Sequence, residues 1–485
     1  MFESESAGLL DRMRAASRAE NRAAGERLAA IADLDALRLR QFGERETWCG
    51  DTWDAICAEV AAALQISQAL AASFLNYARA MRNRLPHVGA ALLAGDIGYA
   101  TFQTVVYRTD LITDPEVLAR VDAALAARLT RWVGMTRGRL NASVDRIVAR
   151  ADKGAVRRRR ERQAGREFSI WDVGDGLTEV FGRLLSTDAH AVDAKLTALA
   201  ATVCHGDPRT AMQRRADAMG AMAAGAERLP CRCGQPGCPA GGSRVPSSVM
   251  IHVIANQSTV AGAGAGADYG YLVGSDALIP AELIAELAGS ARLRPVAHPA
   301  DAPPERGHLP SQALADFVRC RDLTCRFPGC DRPAAHTDLD HTIAYADGGV
   351  THAANLKCLC RQHHLIKTFW GWHDQQLPDG TVIWTAPSGH TSVTTPGSAV
   401  LFPTLCAPTG VPLAAAAPVR DRCADRALKM PRRRRSRAQH RAAYVAAERR
   451  RNGATATQRQ APPSEAAGAH ARAATGPAPP DDPPF

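Results

Sequence analysis

Two short ligand pairs, Cys325-x4-Cys330 and Cys360-x2-His363, bracket one compact stretch in the last third of this 485-residue chain, and no other feature limits its fold as strongly. Each spacing lets a knuckle or a helical turn aim two donors at one ion. Pro328-Gly329 supplies the turn in the first pair, and Cys360 and His363 lie three apart on one helical face. Thiolate and imidazole together suit tetrahedral zinc. Unliganded thiols in an Ala-rich chain are the alternative, and two pairs around one segment argue against it. Cys360 and His364 are also i,i+4, so spacing alone leaves either histidine as the fourth ligand. The chain starts without a basic segment followed by an apolar one. A cytoplasmic protein whose 13 cysteines stay reduced is therefore expected.

A second set lies between and just beyond the pairs: Asp340, His341, Asn355 and His364. Asp340 and His341 end a strand-like segment over 337–343, and strand alternation sends them to opposite faces. That arrangement fits phosphodiester cleavage, with one group activating water and the other holding a metal near the leaving oxygen. Asn355 follows a loop turned by Gly348-Gly349, where it can pin the loop or orient the base. His364 points about a third of a turn away from His363. Lys367 falls on the His364 face, within reach of a phosphate.

Residues 1–150 carry helical periodicity. Val60, Leu64, Ser67, Ala71 and Leu75 form one stripe, and Leu118, Val121, Leu125 and Leu129 another, with Asp114-Pro115 as a helix start. Such stripes make a bundle core or the seam of a homo-oligomer. The uncharged run 60–78 contains Gln65, Ser67, Gln68, Ser73 and Asn76, so it reads as a helix of a soluble domain rather than a membrane span. Residues 151–300 mix strands and helices: a strand near 167–171, a hairpin turn at 173–176, helices near 188–202 and after Asp207-Pro208-Arg209, and an apolar run at 249–254. The Ala/Gly alternation at 261–267 lacks dinucleotide-loop spacing and reads as a connection. Cys231, Cys233 and Cys238 are three donors on a Gly/Pro-rich loop. A second zinc there needs a fourth ligand, with Cys204 or His205 as candidates. Trp370, Trp372 and Trp384 read as the core of the 301–405 module.

Net charge is +10, and residues 420–451 alone carry that surplus, with Arg432, Arg433, Arg434 and Arg435 at its centre. The body is nearly neutral. A basic arm of this kind meets a polyanion, most often nucleic acid, or simply solubilises a tail. The run Arg157–Arg160 with Arg162 and Arg166 reads as a solvated helix end. Arg319 and Arg321 flank Cys320 as candidates for phosphate contacts. Residues 406–485 are expected to form a mostly disordered basic tail, with one helix near 439–451.

Cys325, Cys330, Asp340, His341, Asn355, Cys360, His363 and His364 in this order resemble the HNH endonuclease family, whose site is a strand–loop–strand–helix around a metal. The resemblance implies structural zinc on Cys325, Cys330, Cys360 and His363, with His341 as general base. It implies a catalytic divalent ion (Mg, Mn, Ni or Zn) on Asp340 and His364, with Asn355 as the orienting residue. His363 replaces the commoner Cys, and Ala344 stands where a Pro often follows Asp-His. More widely, Asp207-Pro208-Arg209, Gln213-Arg214-Arg215-Ala216-Asp217, Cys231-Arg232-Cys233-Gly234, Phe317-Val318-Arg319-Cys320-Arg321-Asp322 and Gln376-Leu377-Pro378-Asp379-Gly380 are similar to the actinobacterial, especially mycobacterial, 13E12 repeat family. Its members join an uncharacterised N-terminal domain to an HNH module.

The expectation is therefore an α+β multidomain protein. It has a helical N-terminal region (1–150), an α+β middle (151–300), a zinc-stapled ββα-metal module (301–405) and a basic tail (406–485). The expected activity is metal-dependent hydrolysis of DNA. The alternative is a zinc-containing DNA-binding protein of a mobile or repeat element. A binder has no use for His341, Asn355 and His364.

Overall fold

The computed structural model describes residues 2–132, 134–156, 166–174, 176–241, 251–262, 269–275, 277–289, 291–300, 302–410 and 429–460. Most of the Arg157–Arg162 run, most of the Ala/Gly segment 261–267, positions 249–250 and the chain beyond 460 lie outside them. The chain forms two compact units, and neither is continuous in sequence. One comprises Met1–Thr47, Ser73–Arg158 and Arg433–Phe485, the other Trp48–Ala72 and Arg159–Arg432.

The first unit is helical. It contains α1 (Phe2–Phe42), part of α3 (Gln68–Arg79), α4 (Pro86–Leu93), α5 (Tyr99–Thr109), α6 (Pro115–Leu129) and α7 (Arg137–Ala151). Helix α4 packs on α1 and α6, and α7 packs on α5 and α6. The stripe Leu118, Val121, Leu125 and Leu129 is buried, and Asp114 caps α6 by accepting from the Glu116 and Val117 amides. Buried Asp122 of α6 accepts from the His87 and Val88 amides, placing a carboxylate at the positive end of α4.

The helix expected near 439–451 within the basic tail is present and longer than expected. A helix runs over Arg437–Gln460 (α15 in chain order). It is anchored to its own unit through Arg449 on Asp152 (2.6 Å) and through the Asn452 amide on the carbonyls of Gly154 and Val156. Buried Val445 adds an apolar contact that charge counting does not register.

The second unit holds everything between. Helix α2 (Thr52–Leu64) ends at Gln65, whose φ of +54° is left-handed, and the Ser67 hydroxyl caps the next helix, so the stripe expected as one helix is two. Strands β1 (Glu167–Gly174) and β2 (Leu177–Arg183) form an antiparallel hairpin whose apolar side chains are largely exposed. A helix pair follows, α8 (Ser186–Ala200) and α9 (Ala211–Ala223). Next come β3 (Val253–Ile254), α10 (Gln257–Val260), β4 (Tyr269–Leu272), β5 (Leu278–Pro280) and α11 (Ala281–Ala288). Helix α12 (Gln312–Asp322) leads into β6 (Asp338–His341), β7 (Leu356–Leu359) and α13 (Arg361–Phe369). A small antiparallel sheet of β8 (His373–Gln376), β9 (Val382–Thr385) and β10 (Thr391–Thr394), and a short α14 (Ser398–Leu401), close the module.

The module's core joins Phe327, Leu359, Ile366, Trp370, Trp372 and Trp384 to Ala55, Ala58 and Ala62 of α2. Trp370 Nε1 donates to the Gly50 carbonyl, and Gln362 to Asp54. A helix from the first 150 residues is thus part of the zinc-module unit, so a boundary drawn at 150 does not describe the packing. Trp384 is fully buried and donates to the Arg326 carbonyl. Trp384→Ala is predicted to cost about 3–5 kcal/mol, whereas Val393→Ala on the exposed face of β10 stays within about 0.5 kcal/mol. Urea unfolding followed by hydrogen exchange in β8–β9 checks both values.

Candidate functional site

Strands β6 and β7 pair antiparallel, with Asp340 opposite Lys357 and His341 opposite Leu356, and α13 follows β7 after one residue. The knuckle at 325–330 approaches the start of α13. Cys325, Cys330, Cys360 and His363 bring their donor atoms within 4.8 Å of one another. His363 Nδ1 lies 3.3 Å from Cys360 Sγ and 3.6 Å from Cys325 Sγ. Its ring stacks on Phe327 at 4.2 Å, and its buried Nε2 has no hydrogen-bond partner, so the ring's polar engagement is with sulfur alone. Hydrogen bonds from Cys325 and Cys330 hold the Cys360 thiol far below its ordinary range, while burial pushes Cys325 up. Three sulfurs and one nitrogen at this spacing suit a tetrahedral structural ion such as zinc. Between the two candidate histidines, His363 is the one among the thiols. Gly329 is required in the knuckle, because its φ is +72° and a Cβ there would lie 2.2 Å from the Ile66 carbonyl oxygen.

Asp340 sits on the other side of β6–β7. Its Oδ2 takes Lys357 (2.8 Å) and Lys367 (2.6 Å), and its Oδ1 lies 3.4 Å from His364 Nε2. His364 Nδ1 pairs with Asp338 Oδ2 at 2.9 Å, so a carboxylate orients the ring and leaves Nε2 directed at Asp340. Burial by itself would push the Asp340 carboxyl up, but Lys357 and Lys367 outweigh it and hold the group well below the usual carboxylate range. Asp374 of β8 shares both lysines, at 2.6 and 3.0 Å. Two carboxylates and two ammonium groups thus cancel in a nearly dry site.

His341 is buried, and its Nε2 lies 3.0 Å from Thr351 Oγ1. The Thr351 hydroxyl spends its only proton on the Gly307 carbonyl at 2.6 Å, so it accepts from His341. The ring therefore carries its proton on Nε2, and Nδ1 is its free acceptor. Burial, and then His308 stacked at 5.1 Å, hold His341 down to about 4, so it is neutral at pH 7. Asn355 is fully buried and pins the loop between the strands. Its Oδ1 accepts from the Ile343 amide, and its Nδ2 donates to the carbonyls of Ile343 and Val350.

Two expected phosphate contacts are corrected. Arg321 is buried, with its donors on Asp322 and the carbonyls of Ala353 and Leu356, so it braces α12 against β7. Lys367 directs its three protons at Asp340, the His341 carbonyl and Asp374, leaving none for a phosphate. Arg319 remains half-buried at the end of α12. Arg432, Arg434 and Arg435 are exposed and Arg433 half-buried, the first within the second unit and the others within the first. Thr351, Lys357, Asp374 and His308 are site residues that spacing did not reveal. Lys357 was open to discovery, as a lone cation three residues before Cys360 in a strand with no other charge.

Among the described residues a second cluster, Cys204, Cys231, Cys233 and Cys238, can also hold a structural metal ion. Among the described residues, no single helix is long and apolar enough to cross a membrane.

The family model described as a domain of unknown function (DUF222) matches residues 15–322. The chain is 42% identical to uncharacterized protein Rv3776 of Mycobacterium tuberculosis over 99% of this chain and 95% of that protein. It is 42% identical to uncharacterized protein Rv2100 of the same organism, over 96% and 91% respectively. A third relative, an uncharacterized protein in the est 3' region of M. tuberculosis, is 38% identical over 65% of this chain. No solved structure matches. The family model ends at Asp322, three residues before the first zinc-type cysteine, so the site geometry falls beyond it.

The His341 assignment predicts that ¹⁵N spectra of the full chain show Nε2 protonated and Nδ1 bare at neutral pH. Thr351→Val, which removes the acceptor, is expected to give a tautomer mixture.

Proposed function

Since this chain belongs to the DUF222 family, whose description assigns no activity, we propose its function from the site that lies beyond the matched domain: metal-dependent hydrolysis of nucleic-acid phosphodiester bonds, of the HNH type, with DNA as substrate. The observation that carries the reading is the pairing of a neutral, tautomer-fixed His341 with the Asp340 Oδ1–His364 Nε2 pair. These two donors, 3.4 Å apart, can both reach one divalent ion, and each has its other polar atom already engaged.

His341 Nδ1 accepts the proton of the attacking water, and the Thr351 hydroxyl steadies the imidazolium that forms. Asp340 and His364 would hold the ion, and Asp338 fixes the His364 ring. A divalent ion bound there supplies charge stabilisation to the pentacoordinate phosphorus and the departing 3′ oxygen. Asn355 keeps the 343–350 loop closed over β6 and β7, which sets where His341 can reach. Lys357 and Lys367 hold Asp340 ionised, and Asp374 balances their charge. Two protein donors leave room for several waters, a coordination that suits Mg or Mn. Exposed Arg432, in the same unit as the site, supplies counter-charge for a phosphate backbone.

A second reading, a DNA-binding protein that does not cut, draws support from the closure of Lys367 on Asp340, which competes with a cation for that carboxylate. Plasmid nicking across a divalent-ion series separates the two. The nuclease reading expects metal-dependent nicking that falls by at least about 100-fold in His341→Ala, with DNA retention unchanged. Equal cleavage by wild type and His341→Ala would remove the base assignment. DNA retention with no cleavage at any ion would favour the binding protein.

A further inference from the structure

We propose that Cys204, Cys231, Cys233 and Cys238 form a second, four-thiolate structural zinc site, and that the Asp207–Arg209–Asp217 network is the frame that builds it. The inference does not rest on the nuclease reading.

Four sulfurs from two separate segments come within 4.8 Å of one another, with Cys204 Sγ 3.5 Å from Cys231 Sγ. The main chain around them is shaped for metal-bound sulfur. The amides of Gly206, Gln235 and Ala240 each donate to the sulfur two residues earlier, on Cys204, Cys233 and Cys238. The first cluster repeats this device, with the Arg332 amide on Cys330. Gly234 and Gly237 are left-handed, at φ +69° and +83°, which turns the chain sharply between the third and fourth thiols.

The frame explains why the thiols meet. Asp207 has a fully buried carboxylate that accepts from the Arg209 side chain at 2.7 and 3.0 Å, and from the amide of Arg232 at 2.9 Å. Arg232 lies between Cys231 and Cys233, so this bond ties the loop to the segment just after Cys204. Arg209 continues to Asp217 on α9 (2.6 Å) and to the Pro230 carbonyl (2.7 Å). Below the network, α8 and α9 bury only Leu196, Leu199, Ala200 and Ala218, with Val192, Met219 and Met222 partly buried beside them. A helix pair with so small an apolar core needs a staple, and four thiolates around zinc provide one. A Cys204–Cys231 disulfide is the competing use of the same sulfurs.

The test is zinc content of the full chain, purified under reducing conditions without added metal. Wild type is expected to hold about one zinc ion more per chain than Cys233→Ser, whatever the Cys325 cluster contains, and Cys360→Ser should lose a different ion. Cys233→His, which offers imidazole in place of thiolate, should regain the zinc and shows that the loss in Cys233→Ser is not general misfolding. Asp207→Asn should weaken retention against a chelator by about 10-fold or more. Equal zinc in wild type and Cys233→Ser, or a Cys204–Cys231 disulfide in the isolated protein, would overturn the proposal.

Discussion

Three sulfurs and one imidazole nitrogen lie within 4.8 Å of one another where the 325–330 knuckle meets the first turn of α13, a cluster that can hold a structural metal ion beside the site on β6 and β7. The strands themselves are four residues long, too short to be stable alone. Cys360 and His363 place the start of α13 in the cluster, and the helix carries His364 and Lys367 one turn apart towards Asp340. The aromatic core continues from His363, which stacks on Phe327, and Phe327 meets Trp372 edge-on and Trp384 at a tilt. Helix α2 supplies small side chains beneath Trp370, which lets its backbone approach closely.

Charge is arranged as tightly as packing. Arg321, Arg326 and Asp322 are buried together, and Asp322 accepts from the Cys358 amide, so buried charge adds to the apolar contact of Leu314, Phe317 and Val318 with Leu356 and Cys358 in tying α12 to β7. One layer further out, Asp340, Asp374, Lys357 and Lys367 form a neutral quartet. An isolated charge at any of these positions would carry a large desolvation cost. The quartet keeps Asp340 ionised in a dry place while directing one of its oxygens at His364. The same contacts explain why Lys367, which looks available to phosphate in sequence, is engaged with carboxylates in the fold.

Local chemistry was legible in the sequence, and long-range partnership was not. The Cys/His spacing located a donor cluster that can hold a metal ion, the Asp114-Pro115 start and the 118–129 stripe located a buried helix, and the tryptophans were recognisable as core. Spacing could not choose between His363 and His364. The fold separates them because one ring faces the knuckle and the other faces Asp338. Cys204 lies 27 residues before Cys231, so its place beside the other thiols follows from the Asp207–Arg209 network and not from a motif. Residues of opposite charge far apart in sequence, such as Asp152 and Arg449, likewise turned part of an apparent tail into a packed helix. The Thr351 contact to His341 depends on a loop closing through Asn355, which no periodicity encodes.

The most direct test is diffraction from crystals of the full chain soaked in Mn²⁺, collected at the manganese edge. An ion site made by Asp340 and His364 predicts an anomalous peak about 2.2 Å from Asp340 Oδ1 and His364 Nε2, with Asp338 still on His364 Nδ1. The absence of a peak there at saturating Mn²⁺, with Lys357 and Lys367 still closed on Asp340, would contradict it.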